Sequence, residues 1–364
     1  MEDNRLIKYE NGQLIKIGNA IAVTNKLLSE WVIQFKGILI FEILMDSKGL
    51  DKVIALPNNQ ILTFSKFGRI CLWDYRNNTT LLEINLEAET NDSEWKIMQG
   101  GASYSFIPKK NIISAVIRYY LDCVDSEYGG PEKYIIYWID FATFKIVKKE
   151  IIKHTIYSLT LSTKEKYLVG RTNNGLLFFN TDTFTIEKKI ELSVNNEVYI
   201  DDDLNCIITR YSDSYPFDKH IKIWKQEPLE LLSEFEGFNT GSISAYTYCG
   251  LKKVLAIFSS GEKSIKIFNL ENYVLLKIII LEIEDSYIPT GLKYSNDGNL
   301  LMVRVRHNVV VFETKLYKKI SNITHLNKSK TIPAKDGYID DFAFSTDNQN
   351  IFTVLSDGFL NVWK

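Results

Sequence analysis

The side chains best suited to proton transfer or metal ligation are four histidines, His154, His220, His307 and His325, and they stand far apart in the chain. A histidine-based acid–base or metal centre needs partners converging on one point. No HExxH sets two of them on one turn, so scattered surface histidines are the expectation. The run Asp201-Asp202-Asp203, with Asn205 after it, offers the hard oxygen ligands that Ca²⁺ prefers. It lacks the alternate spacing and closing glutamate of a calcium loop, and reads as a solvated turn. Lysine pairs recur at Lys148-Lys149, Lys188-Lys189 and Lys318-Lys319. As a stripe they would suit RNA or an anionic membrane, but Glu150 and Glu187 dilute the field. Lysines on exposed strand edges discourage edge-to-edge pairing, and that reading is preferred. The chain has no GxGxxG, GxxxxGK[ST] or GxSxG. No catalytic, metal or cofactor residues are assigned, and the chain is expected not to be an enzyme.

The elements that would position any site come from a repeat. A turn followed by alternating apolar residues ending in an aromatic appears as GRICLWD at Trp73, KYIIYWID at Trp138, NGLLFFN at Phe179 and HIKIWK at Trp224. It returns as SIKIFNL at Phe268, NVVVFET at Phe312 and GFLNVWK at Trp363. Four of the six intervals between these aromatics span 41 to 45 residues. Ahead of each aromatic lie two further strand-like runs, joined in the clearest copies by Ser-Asn-Asp-Gly (residues 295–298) or Ser-Thr-Asp-Asn (residues 345–348). Asx and Gly residues supply the side-chain hydrogen bonds and positive φ that such turns need. Another strand follows each aromatic, as in TFTIEKKIEL (residues 183–192). Four short antiparallel strands in roughly 45 residues make one propeller blade.

On the period and these aromatic endings, the chain resembles the WD40-repeat family over residues 38–364. Only Trp73-Asp74 is a true Trp-Asp ending, and the family's Gly-His dipeptide is absent. Its Asp-His-Ser/Thr-Trp hydrogen-bond network therefore cannot form as a set in most blades. The resemblance implies an all-β, seven-bladed propeller. The chain ends on an aromatic strand, one strand short of a full blade, and residues 38–45 (ILIFEILM) fit the missing position. Residues 1–37 lie outside the repeat as an N-terminal extension. Within it LIKYENGQLIKI reads as a hairpin, since Asn11-Gly12 separates two alternating runs. Residues 19–35 are apolar enough for a short helix.

Insertions break the period at residues 87–101, 121–132 and 212–219, and residues 282–289 are grouped with them. The resemblance places them on one rim of the ring. They hold Glu94, Trp95, Asp125, Tyr128, Tyr215, Phe217, Asp285 and Tyr287, and aromatic anchors ringed by polar groups carry most interface energy. Acids outnumber bases there, so the expected partner is a protein of basic or mixed surface. The leading reading is a non-catalytic interaction scaffold, an accessory or regulatory subunit of a larger assembly, monomeric on its own. The alternative is a small-ligand or enzymatic site in the central channel, using inner-strand positions such as Ser158, Tyr199, Ser244 and Asp340.

Bulk properties fit this picture. The net charge is −2 over 364 residues with both signs interspersed, unlike the basic footprint of a nucleic-acid binder. Cys71, Cys123, Cys206 and Cys249 show no CxxC or metal-ligand spacing, which fits a reducing compartment. The first residues, MEDNRLIKYE, are polar and charged. No apolar run is long enough to span a bilayer, so a cytoplasmic location without membrane contact is expected.

Overall fold

Short side-chain-closed turns set the strand spacing. In residues 295–299, Ser295 Oγ donates to Asp297 Oδ1 (2.6 Å) and accepts from the Leu300 N–H (2.9 Å). Gly298 takes φ 68°, and a Cβ there would meet Cys249 Sγ at 2.7 Å. The same device recurs at residues 345–350, where Ser345 Oγ accepts from the Asn350 N–H (2.8 Å) and Asn348 takes φ 56°.

The computed structural model describes residues 7–10, 13–16, 39–44, 49–89, 95–121, 132–192, 194–211, 220–236, 243–259, 262–282, 289–305, 308–324, 339–356 and 358–364. Strands β1 (Ile7–Glu10) and β2 (Gln13–Lys16) pair antiparallel, and β3 (Leu39–Leu44) follows. Residues 19–35, the expected helix, lie outside the described residues.

Blade one is β4 (Leu50–Leu56), β5 (Gln60–Ser65), β6 (Arg69–Asp74) and β7 (Thr79–Asn85). Blade two is β8 (Trp95–Ile107), β9 (Ile112–Leu121), β10 (Glu132–Asp140) and β11 (Lys145–Ile152). Blade three is β12 (Ser158–Leu161), β13 (Tyr167–Thr172), β14 (Gly175–Asn180) and β15 (Thr185–Glu191). Blade four is β16 (Asn195–Asp201), β17 (Cys206–Tyr211), β18 (His220–Lys225) and β19 (Glu230–Glu236). Blade five is β20 (Ile243–Cys249), β21 (Val254–Ser259), β22 (Ser264–Asn269) and β23 (Leu275–Ile280). Blade six is β24 (Pro289–Tyr294), β25 (Leu300–Val305), β26 (Asn308–Glu313) and β27 (Lys318–Thr324). Blade seven is β28 (Ile339–Phe344), β29 (Ile351–Leu355) and β30 (Phe359–Trp363), completed by β3.

The chain is thus a seven-bladed β-propeller, and β3 pairs antiparallel with β30 to close the ring as residues 38–45 predict. Every aromatic of the repeat falls in a third strand. Because both faces of each blade are covered, middle strands are buried without alternation, as in β21 (all six residues) and β5. The apolar core divides into seven clusters, each spanning a pair of neighbouring blades. Closure removes the unpaired sheet edges that an open stack would leave.

Two of the repeat's tryptophans are hydrogen-bonded within their blades. Trp224 Nε1 donates to Thr209 Oγ1 (2.9 Å) and Trp363 Nε1 to Thr353 Oγ1 (3.0 Å). In blades one and two, Trp73 Nε1 and Trp138 Nε1 have no such partner, and apolar packing alone holds those rings.

Asp201 departs from the expected solvated turn. It is fully buried at the end of β16. Its carboxylate accepts from the Leu204 N–H (2.7 Å), the Tyr248 hydroxyl (2.6 Å) and Lys253 Nζ (2.8 Å). Tyr248 and Lys253 both come from blade five, so this is a clasp between blades. Burial raises the Tyr248 phenol further, and the adjoining Asp201 carboxylate adds to that.

Candidate functional site

The inner strands β12, β16, β20, β24 and β28 begin around a cavity of about 450 Å³. These strands supply Ser158, Glu197, Ser244, Ala245, Tyr246, Thr290, Gly291, Leu292, Lys293, Asp340, Asp341 and Phe342 to its wall. Arg171, Arg210 and Arg304 also line it, each the fifth residue of a second strand (β13, β17 and β25). In register, Arg171 stands opposite Ser158 and Arg304 opposite Gly291. A small inner-strand residue lets the long side chain cross toward the channel. At Gly291 a Cβ would lie 3.0 Å from Phe342 Cε1 and 3.2 Å from Arg304 Nε.

On the blade six, seven and one side, the cations are matched within the protein. Arg304 donates from Nε to Thr290 Oγ1 (2.9 Å), from Nη2 to Thr290 O (3.0 Å) and from Nη1 to Ile339 O (2.7 Å) and Asp340 O. Lys293 pairs with Asp341, whose Oδ2 also accepts from the Val53 N–H (3.1 Å). Lys66 pairs with Asp340 at 2.6 Å. Lys52 Nζ donates to Tyr104 O (2.7 Å). Burial, reinforced by the Asp341 charge, pushes the Asp51 carboxyl up to about 6. Burial and then the Lys293 charge hold the Lys52 ammonium below its ordinary range.

On the blade three to five side, three donors lack protein partners. The Arg171 guanidinium lies over the Tyr157 ring, 4.7 Å from its centroid, and its Nε has no hydrogen-bond partner. Neither Ser158 Oγ nor Ser244 Oγ has one. Burial depresses Arg171, as desolvation of a cation must. Beside it, Tyr199 donates to Glu197 Oε2 (3.0 Å) and Tyr246 O (3.3 Å), and Tyr246 donates to Glu197 O. The Tyr199 and Tyr246 rings meet edge to face at 5.4 Å. Burial, then the Glu197 charge, raises both phenols well above their usual range, so both stay protonated donors.

Of the channel positions anticipated from sequence, Ser158, Ser244 and Asp340 line the cavity, and Tyr199 supports Glu197. The three arginines are absent from the sequence expectation, because they come from second strands rather than inner ones. Their signal was present as the recurring fifth-position arginine of YLVGRT, CIITRY and LLMVRV.

Among the rim residues, Trp95 is described. It is the first residue of β8, half-buried beneath Lys133, whose Nζ stands 4.0 Å from its centroid. The stretch from Trp95 to Gly101 is therefore inner strand rather than inserted loop, although its register slips between Ile97 and Ala102. Glu94, Asp125, Tyr128, Tyr215, Phe217, Asp285 and Tyr287 lie outside the described residues. The strand ends flanking the blade-two and blade-four insertions, Leu121 and Glu132, Tyr211 and His220, close second strands and open third strands. They belong to the same end of the ring as the cavity, where inner strands begin and second strands finish.

Cys206 and Cys249 are buried free thiols, and burial pushes the Cys206 thiol up to about 12. Among the described residues no group of three or more His, Cys, Asp or Glu side chains converges as a metal site. No helix among them is long and apolar enough to cross a membrane. No protein-family model matches the chain, and no curated protein resembles it at a significant level.

Proposed function

We propose that this chain is a non-catalytic protein-interaction scaffold of the WD40 type, serving a larger assembly as an accessory or regulatory subunit. The observation that carries this reading is the shared end of the ring. The charged cavity and the strand ends that flank the inserted segments all belong to it. Rigid strands holding variable connections at one end is the usual layout of a binding surface. Propellers commonly serve as such scaffolds, although fold by itself does not set function.

A non-enzymatic role is supported by the cavity's make-up. No histidine or cysteine is among its lining residues, and the Ser158 and Ser244 hydroxyls have no base within hydrogen-bond reach. Nucleophilic catalysis needs such a base beside the hydroxyl. The partner is a protein of mixed surface: basic groups meet the acidic insertions, and the cavity presents more cations than acids. A cytoplasmic setting fits the free thiols.

Affinity capture from native lysate tests the reading. Wild type is compared with a variant carrying Trp95→Ala, Tyr128→Ala and Phe217→Ala, its fold verified by circular dichroism. A partner held by wild type and lost by the folded variant is the expected result. Capture of nothing by wild type would overturn it.

A further inference from the structure

The blade three to five side of the cavity is built to receive an acceptor. Arg171 Nε and the Ser158 and Ser244 hydroxyls are donors without protein partners, and all three residues line one wall. Ser158 stands directly opposite Arg171 across the β12–β13 pair. An ionised carboxylate is acceptor-only and suits a guanidinium fork flanked by hydroxyls. Charge decides between oxyanions. The cavity lining sets four basic side chains (Arg171, Arg210, Lys293 and Arg304) against three acidic ones (Glu197, Asp340 and Asp341), an excess of one formal positive charge. That balances a carboxylate, whereas a phosphoryl group brings about −1.5 to −2. The volume of about 450 Å³ falls in the roughly 300–1,000 Å³ span of sites that enclose a small ligand or a short stretch of chain.

We propose that this half of the cavity binds the carboxylate of an acidic residue presented by the partner, held by Arg171 and the Ser158 and Ser244 hydroxyls. The inference rests on the scaffold reading and supplies the chemistry of its anchor. The neighbouring protonated phenol of Tyr199 keeps the Glu197 carboxylate engaged, so that it does not take the position itself.

The test is a titration of the full chain labelled with ¹⁵N-arginine, following the Nε–Hε signal of Arg171, assigned by its loss in Arg171→Lys. The probes are acetyl-Gly-Glu-Gly-amide, its glutamine counterpart, glutarate and inorganic phosphate. The glutamate peptide should shift the signal saturably and the glutamine peptide should not. Ser158→Ala and Ser244→Ala should each weaken binding about tenfold to a hundredfold, the worth of one hydrogen bond to a charged group. Both remove hydroxyls that hold nothing in the fold, so loss of structure is not the expected cause. An equal response to the glutamine peptide, tighter binding of phosphate, or no shift with any probe would overturn the carboxylate assignment. Tighter binding of glutarate than of the peptide would overturn the partner residue as its source. These probes need no partner, so failure here counts against the anchor alone, while failure of lysate capture counts against the scaffold.

Discussion

Blades six, seven and one treat charge at the cavity wall differently from blades three to five. On the first side three cations each meet a partner on the next blade: Lys293 with Asp341, Lys66 with Asp340, and Arg304 with the carbonyls of Ile339 and Asp340. Blade seven is assembled from both ends of the ring's chain, β28–β30 and β3, and its inner strand is tied to both neighbours. Asp341 alone touches blade six through Lys293 and blade one through the Val53 N–H. On the other side Arg171 lies on an aromatic face with an unpartnered Nε, and two hydroxyls point to no acceptor. Similar residue types therefore do two jobs. Matched pairs hold the ring closed, and unmatched donors are left for a ligand.

The largest expected effect separates the two sides directly. Asp341→Ala strands Lys293 and an inner-strand N–H, and should cost about 2–3 kcal/mol; loss of a fully buried pair costs more, but the Lys293 side chain is 38% exposed. Arg171→Gln removes one cation–π contact and should shift stability by no more than about 1 kcal/mol. Urea midpoints of the two variants check this, and equal losses would break the distinction. Gly291→Val should cost about 1–3 kcal/mol, because its added carbons collide with Phe342 and lift Arg304 from its carbonyls. The same midpoint, read beside Asp341→Ala, sharpens the claim that this side is structural.

A pH series probes the matched side further. Asp51 holds its proton to about pH 6 in the folded chain but releases it near 3.8 when unfolded. Between those values the folded state binds one more proton, so stability from this group is present at low pH and falls as pH rises through the window. Asp51→Asn should flatten that slope. It should also stabilise the protein at pH 7 by about 1–2 kcal/mol, a discounted value because the residue is partly exposed. Urea midpoints of wild type and variant from pH 4 to 7 check the sign. The smallest effect belongs to Ser158→Ala and Ser244→Ala, expected within about 0.5 kcal/mol of wild type by the same assay.

The ring was legible because each blade repeats its own aromatic, from Trp73 to Trp363, and because ILIFEILM reads as a strand where the last blade lacks one. Those signals are local. Asp201 was misread because its partner Lys253 lies 52 residues away, on the next blade. A buried, clasped carboxylate and a solvated one look alike in sequence. The cavity was half legible: Ser158, Ser244 and Asp340 follow from their inner-strand positions, whereas the arginines reach the channel from the second strands. For Arg171 and Arg304 that reach depends on Ser158 and Gly291 opposite them, a pairing set by register rather than by spacing. Trp95 was expected in a loop and begins an inner strand, because the slip between Ile97 and Ala102 hides the strand's alternation.

The measurement that tests the account most directly is partner capture by Arg171→Gln beside wild type, with the urea midpoint taken on the same preparations. The account predicts that the partner is lost while the midpoint stays within the equivalent of about 1 kcal/mol. Retention of the partner, or its loss only alongside a clearly lowered midpoint, would contradict the division of the cavity into a structural and a binding half.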